Sequence, residues 1–134
     1  MQQIDYNAIR LIRYSKLIDK AILEHRYSLA THLAYRCLLE YNRLFLRFLM
    51  PQSRALPRNA FQLSLMTIRL LRKQYKARHL FDVLKSTYYI TNLSGEKYGD
   101  RDLHIDLATA TFARDQALAI SEFLFGSLNH MRKA

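Results

Sequence analysis

Glycine and proline are scarce in this chain, with three and two respectively among 134 residues. Few turn-formers, together with apolar residues recurring at intervals of three and four rather than two, argue for an all-α fold, a compact four- or five-helix bundle. Cysteine is nearly absent too. Cys37 stands alone, so no intrachain disulfide can form, and its setting among Ala34, Leu38 and Tyr41 marks it as a small core residue rather than a nucleophile. Tryptophan is missing, and nine Tyr and seven Phe supply the aromatic bulk. No long apolar run escapes interruption by arginine, and Asp5 and several arginines precede any such run. Neither a membrane span nor a secretory signal is expected, and the expected compartment is cytoplasmic.

Catalytic equipment is equally thin. The five His are scattered, and none falls with a carboxylate into a metal-ligand spacing; His104 and Asp106, two residues apart, would leave different faces of a helix. There is no Gly-rich phosphate loop and no Gly-x-Ser-x-Gly elbow. No metal and no cofactor are expected.

What the chain has is positive charge, a formal net of +10. Residues 1–91 hold sixteen basic and five acidic side chains, whereas residues 92–134 hold five and six. That imbalance within a single domain of residues 1–134 suits a molecule with one binding side. The densest run is Arg69–Lys76, whose charges at Arg69, Arg72, Lys73 and Lys76 recur at helical spacing. Further stripes are Arg10, Arg13, Lys16 and Lys20, and then Arg36, Arg43 and Arg47. Glu40, three and four residues from Arg43 and Arg36, is placed to pair with both.

Periodicity predicts a first helix from Asp5 to about Glu24 with Ile4, Ala8, Leu11, Ile18, Ala21 and Ile22 inward, closed only by the weak break His25-Arg26. A central helix follows from Ser28 to Leu49, with Ala30, Leu33, Ala34, Cys37, Leu38, Tyr41, Leu44, Phe45 and Phe48 on its buried stripe. Met50–Arg58, with Pro51 and Pro57, reads as a linker. Asn59 and Gln62 form a capping box for a third helix whose seam is Phe61, Leu65, Ile68, Leu71 and Tyr75. The pattern continues through Leu80, Val83, Leu84 and Tyr88 after a bend or into a separate helix. Asn92–Asp102 is a second loop. The last helix is expected from Asp100 or Asp102 to about Asn129, with Leu103, Leu107, Ala110, Ala117, Ile120, Leu124 and Leu128 inward.

Arg26-Tyr27-Ser28-Leu29-Ala30-Thr31-His32-Leu33-Ala34-Tyr35 opening the central helix, and Tyr88-Tyr89-Ile90-Thr91 ahead of an Ala-rich last helix, give a layout over about residues 6–128 that resembles HEPN domains. These small bundles occur as ribonucleases and as non-catalytic partners. The resemblance implies an Arg followed by a His after four to six residues, a spacing met by Arg72 with His79 and by Arg26 with His32. There the Arg would hold a scissile phosphate and the His would move a proton. The small basic helical layout is also similar to the small subunits of CRISPR surveillance complexes, which contact nucleic-acid backbone.

The preferred reading needs no catalytic residue. Arg69, Arg72, Lys73 and Lys76, then Arg10, Arg13, Arg43 and Arg47, would contact successive phosphates of RNA or DNA with little sequence preference. Tyr14 and Tyr75 lie beside these stripes, either to stack on bases or as core-edge residues. Asp100, Asp102, Asp106 and Glu122 are candidates to meet the basic side of a neighbour in a larger complex. A third reading is a scaffold or homo-oligomer, with Phe123, Phe125 and Met131 as surplus apolar surface.

Overall fold

A computed structural model describes residues 3–51, 55–93 and 105–133, with side chains from 8 to 130. Five helices account for them: α1 (Gln3–Leu23), α2 (Tyr27–Leu49), α3 (Ala60–Leu71), α4 (Ala77–Leu93) and α5 (Leu107–Lys133), with no strand among the described residues. The all-α bundle read from the sequence is the observed architecture.

The weak break after α1 is a complete Schellman turn. Arg26 N donates to Ala21 O and His25 N to Ile22 O at 2.8 and 3.0 Å, and His25 takes the left-handed position that glycine normally fills, with φ 58°. Asn59 caps α3, its side chain accepting from Phe61 N and Gln62 N. At α5 the cap is Asp106, whose Oδ1 accepts from Thr109 N at 2.8 Å. The last helix therefore begins at Leu107, later than the expected Asp100 or Asp102, which lie outside the described residues.

Contacts between helices fix their directions. Arg10 reaches Glu40 across an antiparallel α1–α2 hairpin at 2.7 Å. Phe61 meets Tyr88 across a second hairpin, α3–α4. On α4 and α5, His79 meets Phe123, Ser86 meets Gln116 and Tyr89 meets Phe112 in antiparallel order. Cys37 touches Ser121 and Asp19 pairs with Arg114, so α5 runs parallel to α2. Hence α2, α3 and α5 point one way and α1 and α4 the other.

α2 is the central element, touching all four other helices, and its largest interface is with α5. Small side chains make that approach possible: Ala30, Ala34 and Cys37 on α2 and Ala110, Ala113, Ala117 and Ser121 on α5 are fully buried. The expected stripe of α2 holds for Ala30, Ala34, Cys37, Leu38, Tyr41 and Phe45, but Phe48 is 42% exposed. Thr31, Tyr35, Asn42 and Leu46 are buried instead, as expected of a helix surrounded on several sides.

The third seam is rotated from its expected position. α3 buries Ala60, Leu63, Ser64, Thr67 and Leu71, while Leu65 is exposed and Phe61 and Ile68 half-buried. On α4 the inward set is Leu80, Val83, Thr87, Ile90 and Thr91, and Tyr88 faces out. The buried hydroxyls are tolerated because Thr67, Thr87 and Thr91 each donate to the carbonyl four residues earlier, at 3.0, 2.8 and 2.7 Å. On α5, Leu107 is exposed, whereas Ala110, Ala117, Ile120, Leu124 and Leu128 are buried as expected.

Gly126 sits inside α5, and a Cβ built there meets nothing within 4 Å. Gly126→Ala is expected to raise the unfolding free energy by about 1 kcal/mol, the helix-propensity difference. Urea unfolding of the two proteins would measure it.

Candidate nucleic-acid interface

The basic run 69–76 does not lie along one helix. α3 ends at Leu71, which is buried, and residues 72–76 turn into α4. Leu71 O accepts from both Gln74 N and Tyr75 N, at 2.9 and 3.2 Å. Tyr75 is the anchor of this turn: its hydroxyl shares a hydrogen bond of 2.9 Å with Ser127 Oγ and its ring packs edge-on against Phe123 at 4.9 Å. Held this way, Tyr75 is a core-edge residue. The expected single basic helix face is replaced by a basic junction, with Arg69 in the last turn of α3, Arg72, Lys73 and Lys76 in the turn, and Arg78 in the first turn of α4.

These five cations are exposed, and none has a carboxylate partner among the described residues. The junction lies between the C-terminus of α3 and the N-terminus of α4, so the two helix dipoles oppose one another there and the side chains set its charge. Part of the charge has a structural role, since Arg69 at the end of α3 and Arg47 at the end of α2 complement helix C-termini.

Arg10, Arg13, Arg43 and Arg47 belong elsewhere. α1 touches only α2 and α5, so Arg10 and Arg13 lie on the opposite flank of the α2–α5 pair from the junction. Both groups sit toward the end of the bundle where α2 and α3 finish. On the α1–α2 flank a shallow cleft of about 300 Å³ is lined by Arg10, Arg13, Tyr14, Leu17 and Glu40. Glu40 chooses Arg10 across the hairpin rather than Arg36 or Arg43 along its own helix. Burial and a hydrogen bond to Glu40 push the Tyr14 phenol above its ordinary value, which makes Tyr14 an integrated partner of that ion pair. Lys16 and Lys20 are exposed further along α1.

The two Arg–His spacings are placed differently. Arg72 closes α3 and His79 stands in the first turn of α4, its ring edge-on to Phe123 at 4.8 Å. Arg26 precedes α2, and His32, six residues on, leaves a different face of that helix. His32 stacks with Tyr35 at 6.3 Å, and burial with the nearby Arg36 charge holds its imidazole below the ordinary value. Among the described residues no group of three His, Cys, Asp or Glu is placed to hold a metal ion, and no helix is long and apolar enough to cross a membrane. Of the surplus apolar candidates, Phe123 and Phe125 are half-buried against the core, and the Met131 side chain lies outside the described residues.

Sequence reasoning missed two features. Arg78 extends the basic run and was available to the same charge count. Tyr89 and Phe112 form an edge-to-face pair at 5.4 Å beside an open cleft of about 710 Å³ between α4 and α5. The adjacency of Tyr88 and Tyr89 was the available signal, because neighbouring side chains on a helix diverge by about 100° and two large rings in sequence overfill a narrow inward stripe. The chain matches no protein-family model, no curated protein and no solved structure.

Proposed function

We propose that this protein binds the sugar-phosphate backbone of a nucleic acid through the α3–α4 junction, without catalysis, as a small subunit of a larger nucleoprotein complex. The observation that carries this reading is the junction itself: five exposed cations within ten residues, Arg69 to Arg78, with no carboxylate partner among the described residues. Such a cluster leaves charge for an external polyanion, and each phosphate it neutralises releases condensed counterions. The arginines Arg43 and Arg47 at the end of α2 supply further contacts. Arg10 and Arg13 form a weaker, separate group, because Glu40 offsets part of its charge.

The test is binding of labelled single-stranded RNA, single-stranded DNA and duplex DNA across a salt series, for the natural protein and for an Arg69/Arg72/Lys73/Lys76→Ala variant. All four positions are exposed, so the variant is expected to keep its helical circular dichroism. Loss of about four phosphate contacts would flatten the slope of log affinity against log salt by roughly 3. An unchanged slope would remove the junction from the interface. Cleavage of the RNA, abolished by His79→Ala or His32→Ala, would instead support the HEPN-type ribonuclease.

A further inference from the structure

The cleft between α4 and α5 exists because these two helices make the least extensive of the helix–helix interfaces. A smaller cleft of about 140 Å³ lies next along the same two helices and shares Asp82 and Gln116 as walls, reaching His79 and Phe123. An aromatic pair therefore stands at each end, His79 with Phe123 and Tyr89 with Phe112. Ten residues of α4 separate His79 from Tyr89, a length of about 15 Å. The end at His79 is the one next to the junction, since Lys76 and Arg78 lie three and one residues before His79.

We infer that the groove receives the bases of a single-stranded nucleic acid whose phosphates lie on the junction, an assignment that rests on the backbone-binding reading above. Three observations favour this occupant. The charge is graded along the path, from cations with no carboxylate partner among the described residues at the junction to one acid and one base, Asp82 and Lys85, lining the groove; the first phosphates are held on the junction, and those that follow the bases run along the solvent side of the groove. Tyr89 and Phe112 are 44% and 41% exposed and meet edge to face, an arrangement that leaves a ring face for stacking, which tolerates any base. Ser86 donates to Gln116 Oε1 at 3.0 Å, so the Gln116 carboxamide nitrogen remains a donor for a base edge, and Asp82 is an acceptor. At 3.4 Å per stacked step the groove length suits roughly four nucleotides. Paired bases of a duplex would not enter it.

The experiment compares an ordinary single-stranded oligonucleotide with an abasic strand of the same length and phosphate charge, using the natural protein and a Tyr89→Leu/Phe112→Leu variant. Leucine keeps apolar bulk and removes the ring faces. The natural protein is expected to bind the ordinary strand roughly tenfold or more tightly than the abasic one. The variant should lose that discrimination while keeping the same salt slope. As the chain has no tryptophan, Tyr89→Trp adds a single reporter whose emission should be quenched by the ordinary strand only. Equal affinity for both strands, with a steep salt slope, would overturn the groove assignment and leave backbone binding intact. Failure to bind either strand would overturn both. A dimer in sedimentation that the leucine variant disperses would give the groove to a second copy of the chain and overturn the assignment.

Discussion

Raising the pH from about 9 to about 12 is expected to cost the folded protein roughly 4 kcal/mol through one thiol. Cys37 is fully buried against α5, and burial lifts its thiol from 9.0 to about 12, with the Ser121 hydrogen bond opposing the rise and Glu40 adding to it. In the unfolded chain the thiol ionises near its ordinary value. Below pH 9 both states keep the proton and the stability is intact. Above it the unfolded state binds fewer protons than the native state, so stability falls until the native thiol also ionises near pH 12. Tyr14 and Tyr41 act in the same direction, because burial raises both phenols. Urea unfolding at pH 8, 9.5 and 11 in the natural protein and in Cys37→Ala separates the contributions. The alanine variant should lose less stability with rising pH, and parallel curves would show that the thiol is not protected by the fold.

Phe45→Ala is expected to cost about 3–5 kcal/mol, and Phe48→Ala about 1 kcal/mol or less. Periodicity places the two rings on one stripe. Phe45, however, is 1% exposed on the helix that touches every other helix, whereas Phe48 is 42% exposed near its end. Removing the buried ring leaves a cavity that the surrounding helices fill only in part. Against a total stability of about 5–15 kcal/mol, the first loss lowers the melting temperature by on the order of 10–20 °C. Thermal scans of both variants would measure the contrast, and similar shifts would mean that both rings share the core.

Most of the helix inventory was legible because the chain obeys the amphipathic pattern and places a good cap at Asn59, whereas the cap of α5 is Asp106 and not the expected Asp100 or Asp102. The rotation of α3 and α4 was not. Ser64, Thr67, Thr87 and Thr91 look like solvent-facing residues until the carbonyls four residues back are seen to accept from the threonines. Leu65 and Tyr88, which look like core, are displaced outward by that choice. The stop at Leu71 was hidden for a different reason: the residue that stabilises the turn, Tyr75, finds its partner Ser127 fifty-two positions away. Likewise Glu40 has arginines one turn away on each side and pairs with Arg10, thirty positions off. Charge counting was enough to pick out Arg69, Arg72, Lys73 and Lys76, but it could not tell that they crown a turn instead of running along a helix. Nor could it find the groove, which depends on how loosely two distant helices meet.

The pairing of α2 with α5 also bears on how the chain is made. Cys37 and its contact Ser121 are eighty-four positions apart, so α2 leaves the ribosome long before the surface that covers it. At about 5–20 residues per second, the nascent chain carries the uncovered face of Ala30, Ala34, Cys37 and Leu38 for roughly 4–17 s. The α1–α2 hairpin can form in that interval but leaves this face open until α5 arrives, so the last of the five helices to be synthesised is the one that closes the core.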